Sequence, residues 1–168
     1  ETPVTSAESM HPSAVSARAW YSSVNKKFQQ RGWWFNTEYS VSLGPDPSTS
    51  KIVIPAGTLR VRIISRPSWY VRRGDYLYNP VQHTFSFENP VQANLVMLLD
   101  AEDLPPEASY YVQAKSVYDF YLAEDGGSAA AVKEYSEAVV RAWADIRQQE
   151  LNEAGVNALH SPGALSIV

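Results

Sequence analysis

Residues 30–50 read QRGWWFNTEYSVSLGPDPSTS and combine a helix stop, an aromatic strand and a turn-rich loop in one short run. Gly32 stands where a helix would end on a left-handed residue, a conformation that glycine adopts without strain. From Trp33 onward apolar and polar residues alternate, which predicts a strand with one face against a core. The predicted apolar face holds Trp33, Phe35, Tyr39, Val41 and Leu43, and the polar face holds Asn36, Glu38, Ser40 and Ser42. The Gly and Pro residues of 44–50 predict the loop.

Helical spacing of apolar residues predicts three helices outside this stretch. The first runs from Ser13 to Gln30, the second begins after Leu104, and the third follows a Gly-rich break at 125–128 and spans roughly 25 residues, nearly 40 Å. The apolar positions are Ala17, Trp20, Tyr21, Val24 and Phe28 in the first helix; Tyr110, Ala114, Val117 and Tyr121 in the second; and Val132, Tyr135, Val139, Ala142, Trp143 and Ile146 in the third, continuing towards Leu151 and Ala154. On the wet face of the third helix a ladder of i,i+4 charge pairs is predicted for Lys133, Glu137, Arg141 and Asp145.

The region between the first and second helices predicts a small, mostly antiparallel sheet. Its strand-like pieces are Lys51–Ile54, Leu59–Ile64, Trp69–Arg72, Tyr76–Tyr78, Thr84–Phe87 and Gln92–Leu99. The tripeptide Arg73-Gly74-Asp75 is predicted to be a hairpin turn. The fold class is therefore α+β, with a helical layer from both chain ends (1–32 and 100–168) and an inserted β region (33–99). Residues 1–12 are predicted to be an extended entry segment, and residues 160–168 a tail without periodicity.

Composition limits the classes of function. The chain has 168 residues, 45% of them hydrophobic, and no Cys, which excludes disulfides and thiolate sites. No stretch approaches the roughly 20 apolar residues that span a bilayer, so no membrane association is expected. Residues 1–99 hold ten Lys/Arg and six Asp/Glu, whereas residues 100–168 hold four and twelve. This division is expected to serve either mutual solvation within one domain or head-to-tail packing of identical subunits.

Motifs for enzymatic chemistry are missing from the sequence. It has no nucleophile elbow, phosphate-binding loop or zinc-binding helix motif, and its His residues at 11, 83 and 160 are far apart. Carboxylates at Asp100, Glu102, Asp103 and Glu107 could form a hydrolytic pair, but charge at a helix N-terminus also explains them. No catalytic residue, metal or cofactor is predicted. Nucleic-acid binding is an alternative, because segment 51–73 is rich in Lys and Arg, lacks acidic residues and contains Trp69.

Three motifs in order resemble the tail tubular protein A family of T7-like podophages, also called head-to-tail adaptors or gatekeepers. They are QxRGWWFNTE at 29–38, YVRRGDYLYN at 70–79, where Asn79 replaces the Asp of the family pattern, and LDAEDLP at 99–105. The resemblance extends from the first helix to the last. It also implies a further N-terminal helix ahead of residue 1.

The resemblance implies a structural virion protein that is not an enzyme and needs no cofactor. Family adaptors are expected to form a ring, twelve-fold, between the portal protein and the tail nozzle (tubular protein B), with tail fibres attached near the lower junction. Double-stranded DNA passes through the lumen during ejection with transient, non-specific contacts. The implied location is the virion tail, assembled in the host bacterial cytoplasm. The alternatives are a nucleic-acid-binding module using 51–73 and a tail-associated polysaccharide or peptidoglycan hydrolase.

Two sets of residues are candidates for these contacts. The candidate subunit or partner interface consists of Arg60, Arg62, Arg72, Arg73, Trp34 and Trp69. Alternation predicts that Trp33 and Phe35 pack in the core while Trp34 points outward. In the predicted strand Leu59–Ile64 it places Arg60 and Arg62 on one, solvated face and Leu59, Val61 and Ile63 on the other. The candidate acidic lumen or interface consists of Glu134, Glu137, Asp145, Glu150 and Glu153. An acidic lining would let DNA slide, because it forms none of the phosphate contacts that hold a duplex.

Overall fold

The computed structural model describes residues 12–65, 68–124 and 127–159, the last six of these by their backbone alone. The protein is α+β, as the sequence predicts. Its elements are α1 (Pro12–Gln29), β1 (Thr37–Leu43), β2 (Thr58–Ile63), β3 (Val71–Arg73), β4 (Tyr76–Tyr78), β5 (Val91–Met97), a short 3-10 helix (Ala101–Asp103), α2 (Pro106–Glu124) and α3 (Ala129–Leu159). The predicted entry segment up to residue 11 and the tail at 160–168 lie outside the described residues.

The chain divides into two compact units. A helical unit comprises Glu1–Phe28 and Asp100–Val168, and a sheet unit comprises Gln29–Leu99. In the helical unit the ring of Phe28 on α1 lies 4.9 Å from that of Tyr111 on α2, which lies 5.1 Å from that of Trp143 on α3. Because these three large rings come from three helices, they join α1, α2 and α3 in one core. On α1, Val24 and Phe28 are buried as predicted, but Ala17 is exposed.

The predicted core face of α2 is wrong. Tyr110 and Val117 are each 49% exposed, whereas the buried residues of this helix are Ala108, Val112 and Ser116. Apolar residues occur on every side of α2, so their spacing does not distinguish one face from another. Ser116 is satisfied within the helix, since its Oγ donates to the carbonyl oxygen of Val112 at 2.6 Å.

Helix α3 is longer than predicted. Its 31 residues span about 46 Å. Ala142 and Ile146 are buried at the centre of the predicted stripe, but Leu151 is 60% exposed, so the stripe does not continue to that residue. Of the predicted ladder, Glu137 pairs with Lys133 at 3.9 Å and with Arg141 at 3.8 Å. Asp145 is exposed and forms no ion pair with a described residue.

The sheet unit contains two antiparallel sheets. One has the strand order β1-β5-β2, and the other pairs β3 with β4 through the predicted turn, where Gly74 has a φ of +62°. The predicted strands Lys51–Ile54 and Thr84–Phe87 form only isolated bridges. The first of these pieces cannot continue as a strand through Pro55, because proline has no backbone N–H to donate to a neighbouring strand. The core of the unit consists of Leu43, Ile52, Ile54, Leu77, Phe87, Val91, Ala93 and Leu95.

The segment after Gly32 departs from the predicted alternation in two places. Gly32 has the expected left-handed φ of +79°, and Trp33 is 1% exposed. The strand begins only at Thr37, because residues 34–36 form a turn in which buried Asn36 accepts the Trp33 amide at 2.8 Å. A β-bulge then interrupts the ladder between Glu38 and Val41. The residue that the bulge inserts reverses the alternation, so Tyr39 is 66% exposed instead of buried.

Candidate functional site

Arg60 and Arg62 lie on the outer face of the three-stranded sheet, the face opposite its core. Both are exposed, whereas Leu59, Val61 and Ile63 of the same strand are partly buried, which confirms the alternation predicted for β2. The register pairs Arg60 with Val96 and Arg62 with Asn94 on β5. Opposed residues of neighbouring strands point to the same side of a sheet, so these four residues share the outer face.

A shallow cavity of about 160 Å³ opens on this face, and we call it the outer-face pocket. Its lining is Gly32, Thr37, Tyr39, Arg60, Arg62, Asn94 and Val96. It therefore contains two guanidinium groups and no carboxylate. Arg60 is anchored, since its Nη2 donates to the carbonyl oxygen of Arg31 at 2.8 Å. Arg62 forms no hydrogen bond or ion pair with a described residue.

The other two candidate arginines belong to the β3–β4 hairpin. The Nε of Arg72 donates to the carbonyl oxygen of Gly74 at 2.8 Å, and its Nη1 donates to that of Thr58. Arg72 therefore holds the turn and the start of β2. Arg73 stacks its guanidinium over the Tyr78 ring at 3.7 Å. The four arginines thus form two separate groups within the sheet unit.

The two candidate tryptophans differ in environment. Trp34 is half-buried, and its ring meets those of Trp33 and Phe35 edge-on, with centroids 6.3 and 5.1 Å away. Trp69 is more than half exposed, as is Val53, and Val71 and Tyr76 of the hairpin are also exposed. Lys51 lies 5.2 Å from the centre of the Tyr76 ring. The hairpin therefore carries a mixed apolar and cationic surface.

A larger cavity of about 440 Å³ was not foreseen from the sequence. The rings of Tyr70 and Phe87, 5.1 Å apart, contribute its aromatic wall. Its other lining residues are Ser65, Asn79, Gln82, Thr84, Ser86, Glu88, Asn89, Pro90 and Val91. They are Ser65 and residues of the stretch 79–91, and they carry mostly hydroxyl and amide groups, a pattern without a periodicity that could reveal it.

The five acidic candidates of α3 do not form one strip. Glu134, Glu137 and Asp145 are exposed. Glu150 is half-buried and paired with Arg147, and Glu153 accepts a hydrogen bond from Gln149 at 3.1 Å. At about 100° per residue, Glu150 lies roughly 160° around the helix from Glu134. The exposed subset of three is the part that remains available to a partner.

The carboxylates near the start of α2 lie on the 3-10 helix and the turn around it. Asp100, Glu102 and Asp103 are exposed, and neither cavity described above contains them. Within residues 12–65, 68–124 and 127–159, no three His, Cys, Asp or Glu side chains are placed to hold a metal ion. None of the helices in that part of the chain is long and apolar enough to cross a membrane.

Comparison with known proteins gives the chain its family. A family model described as "Tail tubular protein" matches residues 1–159. The chain belongs to the tail tubular protein family. Over 130 residues this family member is 30% identical to tail tubular protein A of Klebsiella phage KP34, covering 77% of this chain and 68% of that protein. It is a structural component of the phage virion tail.

In this family member residues 29–38, the first of the three motifs, contribute a buried hydrogen-bond network to the sheet unit. Gln29 is fully buried; its Nε2 donates to the carbonyl oxygen of Leu99 and its Oε1 accepts the Leu99 amide, both at 2.8 Å. Asn36 donates from Nδ2 to the carbonyl oxygens of Gln29 and Met97 at 3.0 and 2.8 Å. Sequence reasoning missed this buried network, because Gln and Asn at these positions are typical of surfaces.

Proposed function

We propose that this family member is a head-to-tail adaptor. Identical copies form a ring, twelve-fold as the resemblance implies, between the portal protein and the tail nozzle, near the attachment of the tail fibres. The ring forms part of the channel through which double-stranded DNA is ejected. The observation that carries the proposal is the tail tubular family match over residues 1–159, together with its tail tubular protein A relative.

The charges of the two units support assembly from identical subunits. The sheet unit holds seven Lys/Arg and four Asp/Glu, a net charge of +3, and the helical unit holds seven and fourteen, a net charge of −7. Opposite charges on two parts of one chain favour contacts in which different surfaces of neighbouring copies meet. Contacts of this heterologous kind generate a ring when the rotation between neighbouring copies closes.

The acidic face of α3 supports a role next to DNA or to a partner. Glu134, Glu137 and Asp145 are exposed along one side of the helix, where Lys133 and Arg141 are held by Glu137. Lys and Arg hold a duplex because their contacts with phosphates release counterions. A lumen lined by carboxylates would not bind the duplex in this way. In a channel this lets DNA pass without being retained.

Negative-stain imaging and mass photometry of the purified protein, with and without the portal protein of the same phage, test the proposal. We expect rings of uniform subunit number stacked on the portal. A chain that stays monomeric at high concentration and binds neither the portal nor the nozzle would contradict the adaptor function. The portal alone is the control for particles that resemble rings without this chain.

A nucleic-acid-binding module is the second candidate, favoured by one observation. Lys51 lies against the ring of Tyr76, which is 38% exposed, and Trp69 is exposed nearby in sequence, a combination of a cation and accessible aromatic rings that single-strand binders use. Under this alternative the monomer binds DNA with an affinity that falls steeply with salt. Fluorescence anisotropy with a labelled oligonucleotide distinguishes it from the adaptor, for which we expect no measurable affinity in the monomer.

A further inference from the structure

We propose that the outer-face pocket receives a carboxylate from a second copy of this chain, supplied by the acidic turn at Asp100–Asp103. The inference rests on the proposed function, since it names a contact between neighbouring subunits of the ring. It assigns the recognising side to Arg62, Tyr39 and Asn94, and the recognised side to the neighbour's 3-10 helix.

The pocket presents the groups that recognise a carboxylate. Arg62 is exposed and has no partner among the described residues, so its planar guanidinium is free to form paired hydrogen bonds with two oxygens. Asn94 accepts the Ser40 amide through Oδ1 at 3.0 Å, which leaves its Nδ2 donor available. The exposed Tyr39 ring supplies an amphipathic wall beside the two donors.

The backbone around the pocket is specialised to build it. The β-bulge at Glu38–Val41 turns Tyr39 to the outer face, and the hydrogen bond from Ser40 to Asn94 holds the bulge, with Ser40 at a φ of +56°. On the other side Gly32 leaves room for Arg60: a Cβ at Gly32 would lie 2.6 Å from Arg60 Nη2. One strained residue and one obligatory glycine therefore position Tyr39 and Arg60 around Arg62.

The acidic turn is the occupant that the charges favour. Asp100, Glu102 and Asp103 place three exposed carboxylates within four residues, and their side chains form no hydrogen bond or ion pair with described residues. Asp100 stands at the N-cap of the 3-10 helix without capping it. By contrast, Glu137 and Glu150 of α3 already have cationic partners, and the unpaired Glu134 and Asp145 are separated by eleven positions along the helix. The unpaired carboxylates of the −7 unit and the unpaired guanidinium of the +3 unit are thus complementary.

Cysteine cross-linking tests the contact directly, because the chain has no native Cys. One preparation carries Tyr39→Cys and a second, differently tagged, carries Glu102→Cys; they are mixed, assembled on the portal and treated with a short bis-maleimide. We expect cross-linked dimers that contain both tags. The matched control is Val81→Cys, which is 63% exposed in the same unit but outside the pocket. Assembled rings that give no more mixed dimer than this control would overturn the proposal.

Charge exchange provides a second, independent test. Arg62→Glu and Glu102→Arg, each alone, are expected to reduce assembly on the portal at least about tenfold, because each places like charges together. The double variant is expected to recover most of the loss. Arg73→Glu combined with Glu102→Arg should show no such recovery, since Arg73 lies on the hairpin. Assembly of Arg62→Glu at the wild-type level, or no recovery in the double variant, would refute the contact.

Failure of this inference and failure of the adaptor function give different results. If the wild-type chain forms no ring on the portal, the adaptor function fails. If rings form but neither the cross-link nor the recovery is seen, the ring stands and the pocket is assigned wrongly. Cross-linking of Tyr39→Cys to a cysteine introduced in the portal instead of to a second copy would also overturn the choice of occupant. Circular dichroism of each variant separates loss of assembly from loss of folding.

Discussion

Gly32 occupies a position at which two independent constraints exclude a side chain. Its φ of +79° is a conformation that residues with a Cβ rarely adopt, and a Cβ there would meet Arg60 at 2.6 Å and Val96 at 2.9 Å. The helix stop that the sequence predicts and the close approach that only the structure reveals thus fall on one residue.

Gly32→Ala is expected to lower the free energy of unfolding by about 1–3 kcal/mol, the cost of a strained backbone together with the displaced neighbours. Urea unfolding followed by tryptophan fluorescence measures the change. Gly44→Ala is the matched control, because a Cβ at Gly44 has no neighbour within 4 Å. Equal stabilities for the two variants would mean that neither the positive φ nor the contact with Arg60 destabilises a residue with a Cβ at this position.

Asp46 shapes the loop after β1 through one carboxylate oxygen. Its Oδ1 accepts the amides of Ser48 and Thr49, both at 2.9 Å, and both hydroxyls, at 2.5 and 3.1 Å. The hydrogen bond from the Ser48 side chain, followed by those from the Thr49 and Ser48 amides and the Thr49 hydroxyl, lowers the pKa of Asp46 from 3.8 to about 2. Hydrogen bonds to the charged form have this effect on any carboxyl group.

The lowered pKa of Asp46 predicts how the loop responds to acid. A carboxyl with a depressed folded pKa stabilises the fold above the unfolded pKa of 3.8, and this contribution is lost as the pH falls through about 2. We expect the Ser48 and Thr49 amide NMR signals to titrate together near pH 2. In Asp46→Asn the same signals should lack this transition. A shared midpoint near 3.8 in the wild type would show that the hydrogen bonds do not form.

At the scale of elements, the sequence predicts that helix α2 forms but not which of its faces is buried. Spacing and the prolines at its start predict the existence of the helix, because backbone hydrogen bonding is local. Its orientation depends on which side chains α1 and α3 accept, and these contacts are not local. The small residues Ala108 and Ser116 are buried beside Val112, while the larger Tyr110 is half exposed.

A pair of valines on α2 tests the observed orientation. Val112→Ala is expected to destabilise the protein by about 2 kcal/mol, because it removes two buried methyl groups and leaves a cavity. Val117→Ala on the same helix should cost much less, since Val117 is 49% exposed and Val112 is fully buried. Thermal unfolding of both variants gives the comparison. If Val117→Ala lowered the stability more than Val112→Ala, the buried face of α2 would be the one that the sequence predicts.

Gln29, the last residue of α1, is hydrogen-bonded to Leu99 after β5, a contact within the sheet unit. Gln29→Ala leaves both backbone groups of Leu99 without their partner, at an expected cost of about 2–4 kcal/mol. Gln30→Ala, one residue along and exposed, is the control and should be close to neutral. Urea midpoints of the two variants measure the difference. A small effect for Gln29→Ala would indicate that water forms the hydrogen bonds to Leu99 that the Gln29 side chain forms in the wild type.

At the scale of the whole molecule, the charge division is the feature that bears on assembly. A +3 sheet unit and a −7 helical unit in one chain give a total of −4. Contacts between exposed opposite charges act over about one Debye length, which is about 10 Å at 0.1 M salt and 3 Å at 1 M.

Salt is therefore expected to weaken the ring. Raising the ionic strength from about 0.1 M to about 1 M should lower the fraction of portals that carry a complete ring, because screening shortens the range of the attraction. Mass photometry at each salt concentration measures this fraction, and a non-ionic osmolyte is the control for crowding. Rings that withstand high salt would indicate interfaces dominated by apolar contacts such as the exposed Trp69.

Much of the candidate surface followed from the sequence, and the rest required the register of the strands. Alternation in β2 predicted that Arg60 and Arg62 share an exposed face, because side chains of a strand point to opposite sides in turn. The pocket next to Arg62 was not predictable, since the bulge that exposes Tyr39 depends on the pairing of β1 with β5. The larger polar cavity joins Ser65 and Tyr70 to the stretch 79–91, and no periodicity in these residues indicates that they share a cavity.

The amino-acid sequence by itself determined the α+β class, the three helices, the stop at Gly32, the Arg73–Asp75 turn and the resemblance to a tail tubular family. Each of these depends on local conformational preference or on short motifs. Tertiary structure alone decided which face of α2 is buried, where β1 begins, and that Gln29 and Asn36 belong in the interior. These choices depend on which partner satisfies a side chain, and that partner lies up to 70 residues away, as Leu99 does from Gln29.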